Sequence, residues 1–451
     1  MASTYLDRTP SAGNRKKWTF SAWFKKSTSS ASDMGIFTAG TSGNDEGTIK
    51  LYNYIDWIEY DSGTASVIGR LTTTQVLRDT SAWYHLVCVW DSANATAGDR
   101  MKMYLNGEEV TSFSTDTNPT LNYDSQINNG VLHNIGRQSW NSSGYFDGSM
   151  THVHFCDGQA YQASDFGEYD ANGVWKIKTS PSVTYGTNGF FILKDGNSVT
   201  DQSGNGNNFT VAGGTLTNTE DNPSNVFATA NPNDVMKQSS GILKPDFSNG
   251  NLTITKVGSG ENVQTFGTIA VTSGKWYWET KASTLTGNGG HRVGVFFGDN
   301  KVHSGSYYYG ANAFYIHQNG KIYYNGSTYT YMSSISQGDI VNIALDRTNG
   351  EIYLGKNGQW SDGAGNNDQT FANAVGIAST LSVSMPNDTT YPFFDVYDDG
   401  SSSTVMDINF GNGYFGTTAV ASAGTNASGI GIFEYDVPTG YTALSTKGLN
   451  L

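Results

Sequence analysis

The chain has 451 residues, and its 26 Lys and Arg face 40 Asp and Glu, a formal charge of −14. That balance argues against nucleic acid or an anionic membrane as partner, since either needs a basic patch to displace counterions. The length allows two or three domains with cores of their own, and 54 glycines, 13% aromatic and 15% charged residues favour short strands joined by turns, an all-β class.

In chain order, residues 1–8 lack the apolar segment of a signal peptide, and no run approaches the ~20 apolar residues of a membrane span. The expectation is synthesis in a cytoplasm with no export and no membrane insertion. Cys88 and Cys156 are too few for a disulfide framework and are expected as buried free thiols. Residues 18–25 alternate, with Trp18, Phe20, Ala22 and Phe24 on one strand face and Trp23 with the lysines on the other. Further strands are expected over 48–52, 83–90 and 101–105, the last ending in the turn Asn106-Gly107. This order resembles the laminin-G/pentraxin-like group of concanavalin-type sandwiches. Phe146-Asp147-Gly148 with Met150, Val153 and Phe155 is similar to that group's final strand, and 160–166 to the short helical turn after it. The first expected domain is therefore residues 1–170.

Residues 171–235 are richer in Asn, Asp, Gly and Thr, yet 189–193 read as a strand. Asp201-Gln202-Ser203-Gly204-Asn205-Gly206-Asn207 resembles a turn found near the start of laminin-G-like modules. Its place after the first domain implies either an added strand pair completing that sandwich or a permuted order. Turn clusters at 222–225 and 231–233 mark the expected boundary.

In the second expected domain, 236–451, residues 272–279 form a turn followed by Lys275-Trp276-Tyr277-Trp278-Glu279. As a strand this places Trp276 and Trp278 on one face, Tyr277 and Glu279 on the other. The run resembles the opening signature of the SPRY family, and Val293-Gly294-Val295, residues 338–346, the Asn357-Gly358 turn, 391–394 and Asn409-Phe410-Gly411 follow in that family's order. Asn-Gly between alternating apolar residues is itself a strong hairpin signal. The resemblance implies a second β-sandwich in tandem with the first. Residues 429–451 resemble the tail after SPRY domains in proteins of bacterial viruses, notably marine phages.

Chemistry-bearing patterns are sparse. Glucanases of the concanavalin type use Glu-x-Asp-x-x-Glu on one strand, with two carboxylates about 5 Å apart. Glu168-Tyr169-Asp170 and Glu434-Tyr435-Asp436 lack the last glutamate, and Asp56, Glu59 and Asp61 read as a solvated strand edge. His152, His154 and Cys156 alternate onto one face as zinc-type ligands without a visible fourth. They fit equally the outer face of a strand whose Val153 and Phe155 enter the core. Asp201, Ser203 and Asn205 place oxygens at alternate positions, as at the start of a calcium loop, but Ala212 stands where a twelfth-position glutamate would. Calcium is thus the one cofactor left open. No nucleophile elbow or phosphate loop is present, since the Gly287-Asn288-Gly289-Gly290 run leads into a strand.

Tyrosines are the remaining binding candidates: Tyr307, Tyr308 and Tyr309 between glycines, and Tyr329, with Tyr323 read as core filling. The combined expectation is a non-enzymatic virion protein of a phage, in a tail fibre or other appendage. It would contact other virion proteins, form a homo-oligomer on the particle, and recognise a host cell-surface glycan or protein through sandwich loops. The alternatives are an architectural, cementing role without host ligand, and a glycan-cleaving enzyme.

Overall fold

The computed structural model describes residues 3–28, 32–61, 63–64, 66–194, 196, 198–237, 245–256, 262–285, 290–299, 312–397 and 403–450. It divides into two compact units, Met1–Asn218 and Thr219–Leu451.

The first unit is a sandwich of two antiparallel sheets. Eight strands run in the order Phe113–Thr117, Val67–Thr73, Ile55–Tyr60, Asp45–Leu51, Met34–Ser42, His133–Ile135, Tyr5–Arg8 and Thr210–Gly213. Six form the facing sheet: Phe190–Ile192, Gly148–Asp157, Lys17–Lys26, Tyr84–Asp91, Met101–Leu105 and Glu108–Glu109. Alternation decides what enters the core. Trp18, Phe20, Ala22 and Phe24 meet Ile49, Trp57 and Leu71 of the other sheet, and Trp18 lies 5.5 Å from Trp57 and 6.1 Å from Trp90, centroid to centroid. Burying one such side chain stabilises the unit by roughly 1.5–3 kcal/mol. Trp23 and Lys25 take the opposite parity but are buried too, because that face carries a second layer. There Val87, Val89, Tyr104 and Cys156 pack against Ala163 and Phe166 of the helical turn Ala163–Phe166.

The segment after residue 170 is divided between the units. Phe190–Ile192 pairs with Gly148–Asp157, and Thr210–Gly213 pairs with Tyr5–Arg8, so both lie in the first sandwich. Ala230–Lys237 pairs with Asn262–Gly267 in the second unit.

That second unit also has two sheets. Seven strands are ordered Ala230–Lys237, Asn262–Gly267, Thr390–Tyr397, His291–Phe297, Ala313–His317, Lys321–Tyr324 and Ser327–Thr330. The other sheet centres on Lys275–Thr284, flanked by Ile340–Asp346 and Thr404–Asn409. Trp276 and Trp278 enter the intersheet core with Val293, Val295, Phe394 and Ile408. Tyr277 faces away from that core and packs with Phe433, Val437 and Tyr441 of the chain's last part, of which Thr442–Ala443 adds a parallel strand beside Trp276 and Tyr277. The hairpin turn at Asn357-Gly358 holds both residues at positive φ, 51° and 81°, the conformation that Asn and Gly adopt at low cost. Among the described residues no helix is long and apolar enough to cross a membrane.

Candidate functional site

The outer face of the eight-stranded sheet in the first unit carries the most developed polar constellation. Ile49, Leu51, Ile55, Trp57 and Leu71 face the core, so period-two alternation turns Glu46, Thr48, Lys50, Asp56, Arg70 and Thr72 to the other side. Strand pairing sets Lys50 opposite Asp56 and Asp56 opposite Thr72. Residues 137–144 cross this face: the Thr38 hydroxyl donates to the Arg137 carbonyl at 2.8 Å, and the Gly35 N–H donates to the Gly144 carbonyl at 2.8 Å. Gly35 permits the approach, since a Cβ there would lie 2.5 Å from the Arg137 carbonyl oxygen.

That segment presents Trp140. At 39% exposure it is the most exposed of the ten tryptophans, and its orientation is set by the indole N–H donating to Glu46 Oε2 at 2.6 Å. Glu46 is buried, and desolvation raises its carboxyl above the ordinary range against the pull of Lys50. Lys50 Nζ lies 3.4 Å from Glu46 Oε1 and 3.9 Å from Asp33 Oδ2. One strand further on, Arg70 grips Asp56 with two bonds, Nε to Oδ1 at 2.9 Å and Nη2 to Oδ2 at 3.1 Å, and the Thr72 hydroxyl donates to Oδ1 at 2.7 Å. Tyr52, stacked on Tyr54 at 5.0 Å, has its phenol pushed up by burial and then by Asp33 and Asp56. Two buried hydroxyls beside this row, Thr48 Oγ1 and Ser139 Oγ, have no hydrogen-bond partner among the described residues, an uncommon condition for buried polar atoms. The arrangement offers a fixed aromatic plate beside a preorganised row of donors and acceptors.

The sequence-expected sites fall elsewhere. Tyr307, Tyr308 and Tyr309 lie outside the described residues. Tyr329 is 38% exposed on Ser327–Thr330, the last strand of its sheet. Tyr323 packs against a smaller buried cluster of Phe266, Phe296, Ala313, Tyr315 and Phe393, on the face opposite Ile322, with His317 and Tyr315 at 4.9 and 6.2 Å.

Asp201 builds a turn. Its Oδ1 accepts the N–H groups of Phe191 and Ser203 at 2.9 and 2.8 Å, and its Oδ2 accepts the Ser203 hydroxyl and the Asn207 N–H at 2.7 and 2.9 Å. Asn205 donates to the Gly186 and Gly189 carbonyls. The carboxylate is thus committed to the chain's own donors.

His152, His154 and Cys156 are buried under the second layer. The strand's register shifts between Thr151 and His154, and His152 has a φ of 49°, a bulge that still leaves the two imidazoles 6.4 Å apart. His154 stacks on Phe191 at 3.9 Å, with Nδ1 3.0 Å from the Tyr185 hydroxyl. Burial pushes the Cys156 thiol up and the His154 imidazole down. No group of three or more His, Cys, Asp or Glu placed to hold a metal occurs among the described residues.

The reading of Asp56, Glu59 and Asp61 as a solvated edge is corrected by the structure. Asp56 is buried in its ion pair, and Glu59, fully buried, shares the core-facing parity of Ile55 and Trp57. Its carboxylate accepts the Ser125 hydroxyl at 3.0 Å and the Gln126 N–H, and Gly47 opposite leaves it room, because a Cβ there would strike Glu59 Oε2. Burial pushes its carboxyl up to about 8. The other acid runs are also structural or exposed: Glu168 is exposed, Glu434 accepts the Ala421 N–H at 2.7 Å, and Asp436 accepts the Thr425 N–H and hydroxyl at 2.6 and 2.8 Å.

Among solved structures the chain is similar to the SPRY domain of human HERC1, at 23% identity over 40% of this chain and 96% of that one, with a TM-score of 0.29. It is also similar to the TRIM65 PSpry domain (11%, 40% and 91%, 0.29) and to a native heptameric SAP-like pentraxin from Limulus polyphemus (16%, 36% and 72%, 0.27). No curated protein matches the chain. Residues 2–163, within the first sandwich, match the family model described as the concanavalin A-like lectin/glucanases superfamily.

Proposed function

We propose that the chain is a non-enzymatic binding protein of a phage particle surface that recognises a host cell-surface glycan, with the Trp140 face of the first unit as its recognition site. The observation that carries glycan recognition is the exposed indole of Trp140 fixed by a buried glutamate beside a row of paired polar groups. An aromatic plate with placed donors and acceptors is how concave sites take small polar ligands. The superfamily description spans lectins and glucanases. Binding is favoured because the acids of the Trp140 face are tied to Lys50 and Arg70, while Glu59 faces the core. Placement on a virion, in a fibre or appendage with other virion proteins and further copies of itself, rests on the phage-type resemblance of residues 429–451.

Glycan-array binding of the purified full chain tests the recognition. Selective binding that Trp140→Ala abolishes supports it, whereas a folded protein that binds no glycan leaves the architectural, cementing role. Mass spectrometry of purified particles tests the virion placement, which fails if the chain is present in infected cells but absent from particles.

A further inference from the structure

We infer that Ser327–Thr330, the last strand of the seven-stranded sheet in the second unit, pairs with the same strand of a second copy about a two-fold axis, joining the two sheets edge to edge. This gives a contact to the self-association in the proposed function and is independent of glycan recognition. The first ground is that the edge is open. Among the described residues Ser327, Thr328, Tyr329 and Thr330 are all exposed and make no hydrogen bond except to the neighbouring strand Lys321–Tyr324. The other outer strands of the four large sheets are blunted, as natural edges commonly are. Asp116, Glu108 with Glu109, Asp246 and Asp368 put charges on four of them. Pro232 and Asp234 stand on Ala230–Lys237, and Thr210–Gly213 pairs through a register shift. Phe190–Ile192 is covered, its Phe191 N–H donating to Asp201 and its Phe191 carbonyl accepting the Gln202 N–H.

The second ground is register. Asn325 and Gly326 hold φ at 46° and 77° in a two-residue turn, which closes with Tyr324 and Ser327 as a hydrogen-bonded pair. Alternation along the ladder then turns the N–H and C=O of Thr328 and Thr330 outward. A two-fold axis at Tyr329 sets Thr328 against Thr330 of the second copy, so every outward donor meets an outward acceptor. Tyr329 then faces its twin at a non-hydrogen-bonded position, where Cα atoms lie about 4.5 Å apart and aromatic pairs are favourable. The third ground is charge. Two copies of a chain at −14 repel each other, yet no Asp or Glu occurs between Asp299 and Asp339, so this edge lies in an acid-free stretch of sequence where like chains meet with least repulsion. The loop with Asp362 reaches Thr330 through Gly365, and that carboxylate is committed to Ala364 and Asn366. The strand has no charged side chain by which to select a foreign segment, whereas a twin supplies the matching register by symmetry. Each copy contributes four residues, few beside the ~20–30 of a standard interface. The pairing is therefore expected to be weak in solution and to gain where copies are held close together.

The test combines sedimentation equilibrium of the intact chain, from micromolar to near-millimolar concentration, with single cysteines placed on the edge, the native Cys88 and Cys156 being buried. Under copper–phenanthroline oxidation Tyr329→Cys should give a disulfide-linked dimer, because Cα atoms about 4.5 Å apart are within disulfide reach. Ser327→Cys, displaced along the strand from its own twin, should remain monomeric. Tyr329→Lys sets like charges opposite each other, and Thr328→Pro removes an outward N–H that the monomer's ladder does not use. Each should weaken dimerisation tenfold or more with the melting temperature unchanged. Cross-linking through Ser327→Cys and not through Tyr329→Cys would overturn the two-fold at Tyr329. A dimer that survives both Tyr329→Lys and Thr328→Pro would move self-association to another surface and overturn this edge. Cross-linking of Tyr329→Cys solely to a different protein would give the edge to that partner and overturn the pairing of twins. A chain that stays monomeric throughout, with no cross-link from either cysteine, would defeat the edge and the self-association together and leave the Trp140 reading untouched.

Discussion

Glu279 accepts the backbone N–H of Tyr435 at 2.9 Å, and its second oxygen accepts that of Glu434 at 3.0 Å. One buried carboxylate on the central strand of the second unit thereby fixes a segment about 155 residues further along. Tyr277 donates its hydroxyl to the same group at 2.9 Å and Asn409 its amide at 3.3 Å, so the face of the strand opposite the core becomes an anchorage for the last part of the chain.

Removing the anchor should loosen that segment first. Glu279→Ala leaves two part-buried N–H groups and the buried Tyr277 hydroxyl without this acceptor and is expected to cost the second unit about 2–3 kcal/mol. Glu279→Gln, which keeps one acceptor oxygen, should cost less. Urea unfolding gives the free energies, and limited proteolysis should find new cleavage around residues 420–437 in the alanine variant.

How much of this was legible in the sequence depends on periodicity. The alternation of Trp276, Tyr277, Trp278 and Glu279 assigned each side chain to its correct face, because an unbroken strand has period two. At His152 a positive φ and a register shift interrupt the strand, yet its ring still lies 6.4 Å from that of His154, both against Phe191. Glu59 obeys the parity of Ile55 and Trp57 but reads as solvated in the sequence, because the covering residues Ser125 and Gln126 lie 66 and 67 positions away. Trp140 gave no signal at all. It sits in an irregular segment, and its partner Glu46 is 94 residues distant, so only the fold brings them together.

Glu59 makes the first unit sensitive to alkali. Its folded value of about 8 lies above the ordinary 4.5, so folding takes up a proton between these limits. The contribution is fully favourable below about pH 4.5 and is lost as pH rises through 8, by on the order of 5 kcal/mol at most. His133, lowered to about 4, and His85, lowered to about 3, act in the opposite sense and cost stability as pH falls below 6.5. Glu59→Gln isolates the first effect: the melting temperature of the variant minus that of the wild type should grow from pH 5 to pH 9. A constant difference would remove Glu59 as the source.

The Asp201 turn gives a prediction about calcium. All four donors to its carboxylate come from the chain, so millimolar calcium or a chelator should leave the melting temperature of the wild type unchanged. Asp201→Ala should lower the stability of the first unit by about 2–3 kcal/mol through its unsatisfied N–H groups. A calcium-dependent rise in melting temperature that Asp201→Ala abolishes would show that the carboxylate is a ligand.

The ion pair of Arg70 with Asp56 should matter to the Trp140 face more than to the core. Arg70→Lys keeps the charge but loses the two-point grip, and is expected to weaken glycan binding several-fold with a change in unfolding free energy below about 1 kcal/mol. Parallel titration and urea denaturation separate the two quantities.

The most direct measurement is fluorine NMR of the chain labelled with 5-fluorotryptophan, titrated with a glycan selected on the array. The resonance of Trp140, identified by its loss in Trp140→Phe, should shift progressively with ligand while those of buried Trp18, Trp57, Trp90 and Trp278 stay fixed. A bound glycan that leaves the Trp140 resonance unmoved would contradict the assignment of recognition to this face.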